Sequence, residues 1–350
     1  MNGARRAGNR RRALVLGGTG LLGRAIASRL ARAGWAVEVT GRTPAHLPAD
    51  LAGLGVGFTA ADRHDAGALA ALLRGGADLL VDALAYTGAD ARLLLPYLDD
   101  VGTTVMLSSK AVYVDAAGRH VNSPRGPRFA GPITEDHPTL APGDMPHDSP
   151  AGYGPNKVAA ERVLLDTGAN ATVIRASKVH GVGAVRPREW VFARRVLDRR
   201  PAVLLAGAGT DHTTAAVNTA ALVQCVADAP PGPRILNSAD PDAPTGRDIA
   251  RAVAAHFGHT WREVLLPDDG PDAPAGLGAH PWDARPGIVL DTSAATALGY
   301  TPVGGYAQTI GPALDWMAAQ PRHRFDADPY FDGFFDYGAE DRFLEAATAP

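Results

Sequence analysis

Residues 13–23 read Ala-Leu-Val-Leu-Gly-Gly-Thr-Gly-Leu-Leu-Gly, so that Gly17, Gly20 and Gly23 directly follow a short apolar run. The run predicts a buried strand, and residues 24–33 have apolar side chains at helical spacing. Glycines between a strand and a helix let the backbone approach a pyrophosphate, to which the helix N-terminus offers free N–H groups. This stretch therefore predicts a dinucleotide-binding unit rather than a turn alone.

Apolar runs alternate with helical patterns through the first half of the chain. Further strands are predicted at 35–40, 55–60, 78–83, 103–108 and 171–175, with helices at 66–73, 89–98 and 158–165. Beyond them, helices are predicted at 189–199, 216–227, 247–257 and 306–317, and a strand at 235–238. The alternation predicts an α/β fold, a doubly wound parallel Rossmann sheet with a smaller C-terminal substrate-binding lobe.

The predicted organisation has four parts. Residues 1–12 form a disordered arginine-rich tail, and residues 13–180 form the dinucleotide-binding Rossmann domain. Residues 181–320 form mostly the substrate-binding lobe, with some segments returning to the Rossmann domain. Residues 321–350 form an aromatic C-terminal tail, which we expect to pack on the body or on a second subunit.

The composition excludes several classes of protein. With 34 basic and 37 acidic side chains in 350 residues, the net charge of −3 argues against a general nucleic-acid binder. No apolar run approaches the roughly 18 residues of a membrane span. A single cysteine, Cys225, excludes an intrachain disulfide and a cysteine-based zinc site, and the histidine spacing matches no metal pattern. We therefore expect a cytoplasmic protein without a metal, a membrane partner or a nucleic-acid partner.

Lysine is rare, which singles out each of its positions. It occurs only at residues 110, 157 and 178, and arginine supplies the rest of the 34 positive charges.

The end of the second predicted strand indicates which dinucleotide binds. An acidic residue there would hold the ribose 2′-hydroxyl of NAD, but the chain has Arg42 at this point. A guanidinium can pair with a 2′-phosphate, which favours NADP over NAD. The alternative is that Arg42 is a solvent-facing loop residue. Asp62, after the third strand, is a candidate acceptor for the adenine amino group.

Four polar residues suggest the chemistry. Tyr153 and Lys157 lie four residues apart on one helical face near a helix start, while Ser108 and Ser109 end the fifth predicted strand. We expect Pro155 in the first turn of that helix. An ammonium about 4 Å from the phenol, at an effective dielectric near 20, would lower the tyrosine pKa by about three units. The tyrosine would then exchange a proton with the reacting oxygen, and a serine would orient that oxygen.

Taken together, these motifs resemble the NAD-dependent epimerase/dehydratase family of extended short-chain dehydrogenases/reductases. The matching segments are Gly17–Gly23, Asp62–Asp65, Val81–Ala85, Ser108–Tyr113, Tyr153–Lys157, Arg175–Gly181, Asp291–Ser293, Leu298–Tyr300, Pro302 and Trp316. The resemblance implies that Ser109, Tyr153 and Lys157 are catalytic. It also implies a cofactor site of Gly17, Thr19, Gly20, Leu21, Leu22, Gly23, Arg42, Asp62, Ala83, Leu84, Ala85, Ser108, Tyr153, Lys157 and Ala176.

Departures from the family pattern narrow the function. Sugar-nucleotide 4,6-dehydratases carry Thr-Asp-Glu where this chain has Ser109-Lys110-Ala111, which disfavours dehydration. Ala176 stands where the family often has proline. The long connection between Ser109 and Tyr153 suggests a modified lid.

The leading hypothesis is an NADP-dependent oxidoreductase or epimerase that transfers hydride at a secondary alcohol or ketone of a small polar metabolite, with net reduction favoured. Alternatives are a sugar-nucleotide epimerase with tightly bound NAD, a non-catalytic nucleotide-sensing regulator, and an RNA-binding relative supported only by the arginine-rich start. Helices 89–98 and 158–165 could form a homodimer interface. Arg247, Trp282 and Arg285 could hold an anionic substrate or serve the structure.

Overall fold

The computed structural model describes residues 10–44, 47–207, 209–266 and 276–346. The strands of these ranges are β1 (Arg12–Leu16), β2 (Ala36–Gly41), β3 (Gly57–Ala60), β4 (Ala77–Asp82), β5 (Val101–Ser109), β6 (Ala171–Ala176), β7 (Lys178–His180), β8 (Ala202–Ala206), β9 (Thr213–Ala215), β10 (Arg234–Ser238) and β11 (Arg262–Leu266). The α-helices are α1 (Leu21–Arg32), α2 (Ala49–Gly53), α3 (Ala66–Leu73), α4 (Gly88–Arg92), α5 (Pro150–Leu165), α6 (Trp190–Leu197), α7 (Ala216–Ala227), α8 (Gly246–His256), α9 (Ser293–Ala297), α10 (Tyr306–Thr309), α11 (Gly311–Ala318), α12 (His323–Asp326) and α13 (Tyr337–Ala346).

Seven parallel strands form the central sheet in the order β10-β6-β5-β4-β1-β2-β3. The chain winds outward from β1 through β2 to β3, then returns to pair β4 with the other side of β1. The strand order therefore reverses beside β1, and a crevice opens there at the carboxyl ends of the strands. This topology confirms the predicted doubly wound Rossmann sheet.

The sheet is buried on both faces because alternate residues of each strand point to opposite sides. Ala13 and Val15 of β1 pack with Ile26 of α1 in one buried cluster that also contains residues of α7. Leu14 and Leu16 pack on the other face with residues of α3 and α5. Two apolar layers thus hold the crevice-forming strands in place.

The second lobe has its own apolar core. Strands β8 and β11 pair in parallel, and helices α6, α8 and α11 enclose a buried cluster that includes Trp190, Phe192 and Leu314. The aromatic C-terminal segment belongs to this core, since Phe325 and Phe331 are buried in the same cluster. The sequence predicts that this segment packs on the body or on a second subunit, and in the structure it packs on the body of the same chain.

Two segments beyond residue 181 return to the large sheet. Strand β10 pairs with β6 at the sheet edge, and α7 packs against α1.

At the other terminus, residues 1–9 of the predicted tail lie outside the described ranges. Arg12 is the first residue of β1, and its guanidinium donates to the Leu72 carbonyl at 2.8 Å. Arg12 therefore belongs to the folded body and not to the predicted tail.

Proline explains the largest differences in element boundaries. The predicted helix 89–98 stops as α4 at Arg92 and continues as a 3₁₀ helix, Leu95–Asp100, with Pro96 in its first turn. The predicted final helix is split, because Pro312 begins the new helix α11. Helix α5 begins at Pro150, so that Pro155 is not in its first turn as predicted but in its second.

Within the described ranges, no helix combines the length and apolar character that crossing a membrane requires.

Candidate active site

The turn between β1 and α1 depends on glycine at two positions. Gly17 has a φ of +78°, which side-chain-bearing residues rarely adopt. A Cβ on Gly23 would lie 2.3 Å from the Gly17 carbonyl oxygen, so only glycine lets the helix approach the turn. Gly20 is the N-cap of α1 and contributes no side chain to occupy the first N–H groups. Those N–H groups are therefore available to an anion, as a pyrophosphate site requires.

A cavity of about 840 Å³ lies between this turn, the carboxyl ends of β4, β5 and β6, and the second lobe. Most of the predicted site residues line it. They are Gly17, Gly20, Leu21, Leu22, Gly23, Ala83, Leu84, Ser108, Ser109, Tyr153, Lys157 and Ala176. The structure thus brings the glycine turn and the three predicted catalytic residues to one cavity.

Four predicted cofactor residues do not line this cavity: Thr19, Arg42, Asp62 and Ala85. Arg42 is exposed beyond the end of β2, where the sequence placed it. Hydrogen bonds from His64 lower the pKa of Asp62, and the charge of Arg42 adds to that effect, so Arg42 and Asp62 are neighbours. These two residues lie outside the enclosed part of the crevice.

Helix α5 positions Tyr153 and Lys157. Its N-cap Ser149 accepts a hydrogen bond from the Gly152 N–H at 3.0 Å, which fixes the helix start next to the tyrosine. Lys157 is buried, and its Nζ donates to the carbonyl oxygens of Ala85 at 2.8 Å and Leu107 at 3.0 Å. The ammonium group is thereby fixed between the ends of β4 and β5, with its nitrogen 6.0 Å from the centre of the Tyr153 ring.

Burial dominates the titration of both groups. Desolvation raises the pKa of Tyr153, and a hydrogen-bond interaction with Ser109 only partly opposes it. Burial lowers the pKa of Lys157 to about 8, against the opposing charges of Asp82 and Glu161. In the protein alone, desolvation therefore raises the pKa of Tyr153, whereas the sequence predicts that Lys157 lowers it.

Ser108 contributes less to the cavity than the sequence suggests. Its hydroxyl donates to Glu161, which is buried and forms an ion pair with Arg175 at 2.6 Å. The hydroxyl of Ser108 is thus held by the protein interior, whereas Ser109 is the serine whose side chain interacts with Tyr153.

The predicted lid is a packed loop that reaches the cavity through Val121 and Asn122. Asp115 organises it by accepting hydrogen bonds from the backbone N–H groups of Ala117 and Arg119 at 2.9 Å, and of Arg128 at 2.7 Å. The long loop therefore forms part of the wall of the cavity that Tyr153 also lines.

Sequence reasoning missed several cavity residues, among them two of the chain's three lysines. Lys110 and Lys178 line the cavity together with Lys157, and Asp211 lies between the first two. The rarity of lysine was the signal that could have identified them. Tyr86, Arg186, Arg188 and Tyr330 also line the cavity, and no short motif marks them.

Other sequence candidates have structural partners. Trp282 is buried and stacks on Phe192 at 5.8 Å, and Arg247 bonds Glu263 at 2.6 Å. Arg285 pairs with Asp283 at 2.8 Å and lines a separate cavity of about 630 Å³. The described part of the chain contains no group of three or more histidine, cysteine, aspartate or glutamate side chains suited to a metal ion.

Comparisons with known proteins agree with this architecture. A family model described as the saccharopine dehydrogenase NADP binding domain matches residues 13–95. No curated protein sequence matches the chain. The match to residues 13–95 supports a pyridine-nucleotide site in the first half of the chain.

Three solved structures illustrate the likeness of the fold. A UDP-glucose 4-epimerase from Thermus thermophilus, in complex with NAD, is 20% identical with a TM-score of 0.64, covering 89% of this chain and 100% of its own. A UDP-N-acetylglucosamine 4-epimerase from Bacillus cereus is 15% identical with a TM-score of 0.64, covering 89% and 98%. A dTDP-glucose 4,6-dehydratase from Bacillus anthracis, in complex with NAD, is 12% identical with a TM-score of 0.65, covering 91% and 99%. The chain therefore has the fold of these epimerase and dehydratase structures, which is the fold that its motifs predicted.

Proposed function

We propose that this protein is an NADP(H)-dependent oxidoreductase that transfers hydride at a secondary alcohol or ketone of a small polar metabolite, with net reduction as the main outcome. The observation that carries the proposal is the meeting of Ser109, Tyr153 and Lys157 in the cavity that begins at the glycine turn. These residues come from β5 and α5, far along the chain from Gly17, so their meeting depends on the whole fold.

The residues present fit a pyridine dinucleotide. The N–H groups at the start of α1 would receive its pyrophosphate, and Arg42 would pair with a 2′-phosphate. Lys157 has three N–H donors, of which two are used by backbone carbonyls, so one remains for a ribose hydroxyl. The bound nicotinamide would supply the hydride.

Tyr153 would act as the proton donor. Its raised pKa keeps the phenol protonated at neutral pH, which suits the reduction of a ketone, where the alkoxide oxygen needs a proton. Ser109 would hold the same oxygen by a hydrogen bond, because its side chain already interacts with Tyr153. The protonated phenol is the form of Tyr153 that the reduction of a ketone uses.

A 4,6-dehydration is disfavoured for a structural reason as well. Lys110 stands where dehydratases carry an acid, and the nearest carboxylate in the cavity, Asp211, forms ion pairs with both Lys110 and Lys178. Because these two lysines already engage Asp211, it does not replace the acid that dehydratases carry at this place.

Replacing Tyr153 with phenylalanine tests the proposal. We expect turnover with NADPH and a panel of small ketones to fall by about 10²–10⁴, since general acid catalysis contributes that much. NADPH affinity, measured by the quenching of protein fluorescence, should stay within a factor of about three. Unchanged turnover in Tyr153→Phe would refute the assignment of the acid.

The epimerase hypothesis remains the second candidate, because the Thermus thermophilus and Bacillus cereus proteins with this fold are 4-epimerases. An epimerase returns the hydride to the same substrate, so it would change a sugar nucleotide without net NADPH consumption and would retain NAD through purification. A nucleotide-sensing regulator would bind the dinucleotide and show neither activity. Mass spectrometry of the released nucleotide, combined with an NADPH consumption assay, separates the three.

A further inference from the structure

The cavity wall opposite the glycine turn carries a buried cluster of charges that the hydride-transfer chemistry does not use. Lys178 Nζ lies 2.6 Å from Asp211 Oδ2, and Lys110 forms an ion pair with Asp211 Oδ1. The side chains of Lys110, Lys178 and Asp211 are only 7%, 14% and 12% exposed. One carboxylate thus serves two lysines from different parts of the chain.

The fold places this cluster beside the reacting groups. Lys110 directly follows Ser109 at the end of β5. Lys178 begins β7, which pairs with β9, and the Lys178 N–H donates to the His212 carbonyl at 3.1 Å, so that Asp211 comes to lie next to the lysine. Lys110, Lys178 and Asp211 thus line the same cavity as Tyr153.

Positive charge is in excess on this wall. Among the described residues, those with charged side chains that line the cavity are Lys110, Lys157, Lys178, Arg186, Arg188 and Asp211. Lys157 is bonded to backbone carbonyls, and Arg186 is paired with Asp328 at 2.8 Å.

Asp211 is the only carboxylate among the described residues that line the cavity. It therefore faces three remaining cations, which are Lys110, Lys178 and Arg188. Arg188 donates to the Val179 carbonyl at 3.4 Å and has no carboxylate within 4 Å in the described part of the chain.

The electrostatics of the lysines agree with this excess. Burial lowers the pKa of Lys110 and that of Lys178, the latter to about 7, and the charge of Arg188 lowers both further. Asp211 lies in contact with Lys178, and Glu189, at the start of α6, opposes the pKa shift of Lys178. An incoming anion would compensate the unbalanced charge and raise both pKa values.

We propose that Lys110, Lys178, Arg188 and Asp211 form a binding site for an anionic oxygen group of the substrate, a carboxylate or a phosphoryl group located close to the carbon that is oxidised or reduced. The substrate class is then a hydroxy acid or oxo acid, or a phosphorylated alcohol or ketone. This inference rests on the proposed function for the meaning of the reacting carbon, but the anion site itself can be tested without turnover.

Titration calorimetry on the NADPH-saturated full-length protein is the test. The probes are malonate for a carboxylate, inorganic phosphate for a phosphoryl group, and malonamide as the uncharged counterpart of malonate. We expect one anion to bind at least about tenfold more tightly than malonamide, since charge-assisted hydrogen bonds carry the contact. Stronger binding of malonate assigns a carboxylate substrate, and stronger binding of phosphate assigns a phosphoryl substrate.

Charge-removing variants connect the binding to the cluster. Lys110→Met and Lys178→Met should each weaken the preferred anion by about tenfold or more. Arg188→Met should do the same and keeps the test valid if a buried lysine variant does not fold, because Arg188 is only half-buried. Arg74→Met, at an exposed arginine after α3, is the matched control and should leave anion binding unchanged.

Proton uptake gives a readout that a merely structural cluster would not produce. Titrations at pH 8 in two buffers of different ionisation enthalpy should show protons taken up with the anion, because the anion raises the lysine pKa values. Uptake should fall in Lys178→Met.

Three results would overturn the inference. The first is that the protein binds neither anion more tightly than malonamide. The second is that none of the three charge-removing variants changes the anion affinity. The third is that these variants lose as much NADPH affinity as anion affinity, which would assign the cluster to the cofactor's pyrophosphate. A protein that binds the anion at this cluster but reduces no carbonyl compound would instead count against the proposed function alone.

Discussion

The two sides of the cavity are built differently. The sheet wall consists of the turn Gly17–Gly23 with Ser109, Tyr153 and Lys157, and the lobe wall consists of Lys178, Arg188, Asp211 and Tyr330. The sheet wall comes from short motifs at the ends of strands and the start of a helix, where geometry is set locally. The lobe wall comes from β7, from the segments before α6 and β9, and from the C-terminal region, which meet only in the folded protein. The residues of the proposed reaction therefore lie in short motifs, while the proposed substrate site depends on tertiary packing.

Gly23→Ala should have the largest effect on the sheet wall. The new Cβ would meet backbone, the Gly17 carbonyl oxygen at 2.3 Å and the Gly18 Cα at 2.7 Å, so α1 must move away from the turn. We expect NADPH affinity to fall by about 100-fold or more and the unfolding free energy to fall by about 1–3 kcal/mol, as for overpacking. Fluorescence titration with NADPH and urea denaturation would measure the two effects.

Gly53→Ala is the matched control, since nothing lies within 4 Å of a Cβ at this exposed position in α2. It should leave NADPH affinity unchanged and stabilise the protein by up to about 1 kcal/mol. Equal NADPH affinity in Gly23→Ala and Gly53→Ala would mean that the turn does not form the dinucleotide site.

The sequence allowed the sheet wall to be predicted almost residue by residue, and the reasons are local. The spacing of Gly17, Gly20 and Gly23 at a strand–helix junction is typical of a dinucleotide-binding turn, and Tyr153 and Lys157 share a helical face whatever surrounds them. The parallel, doubly wound sheet followed from the alternation of strands and helices. These features depend on backbone geometry that a few neighbouring residues determine.

The lobe wall and the tyrosine pKa could not be predicted in the same way. Asp211 lies 101 positions from Lys110 in the sequence. Asp211 precedes β9 and Lys110 follows β5, and no periodicity of the sequence connects the two positions. The pKa of Tyr153 depends on how deeply the phenol is buried, which is a property of the packed lobe and loop. Residue rarity marked Lys110 and Lys178, but only the fold supplied their partner.

Glu340→Ala tests whether the C-terminal segment is an integral part of the lobe wall. Glu340 forms an ion pair with Arg195, and both side chains are 2% exposed. Removing the carboxylate leaves a buried guanidinium without its counter-charge, so the unfolding free energy should fall by about 3–5 kcal/mol. Denaturation in urea would measure the loss, and NADPH affinity of the folded protein should change little because the sheet wall is intact.

Asp341→Ala removes the neighbouring carboxylate, whose partner is Arg200 and whose side chain is 51% exposed. Surface ion pairs contribute little, so this control should cost at most about 1 kcal/mol. If both variants lost the same small amount of stability, the C-terminal segment would be an appendage and Tyr330 would not be a fixed part of the cavity.

Arg42→Ala should have the smallest effect, and it examines a predicted cofactor residue that lies outside the enclosed cavity. Because Arg42 is exposed, its pairing with a 2′-phosphate is partly screened, and we expect NADPH affinity to fall by about tenfold. NADH has no 2′-phosphate, so its affinity should stay within a factor of about two. Arg74→Ala, which removes another exposed arginine, should change neither affinity. If Arg42→Ala lost NADPH affinity and NADH affinity equally, Arg42 would not recognise the 2′-phosphate. If the unaltered protein bound NADH more tightly than NADPH, NAD would be assigned as the cofactor and the epimerase hypothesis would be favoured.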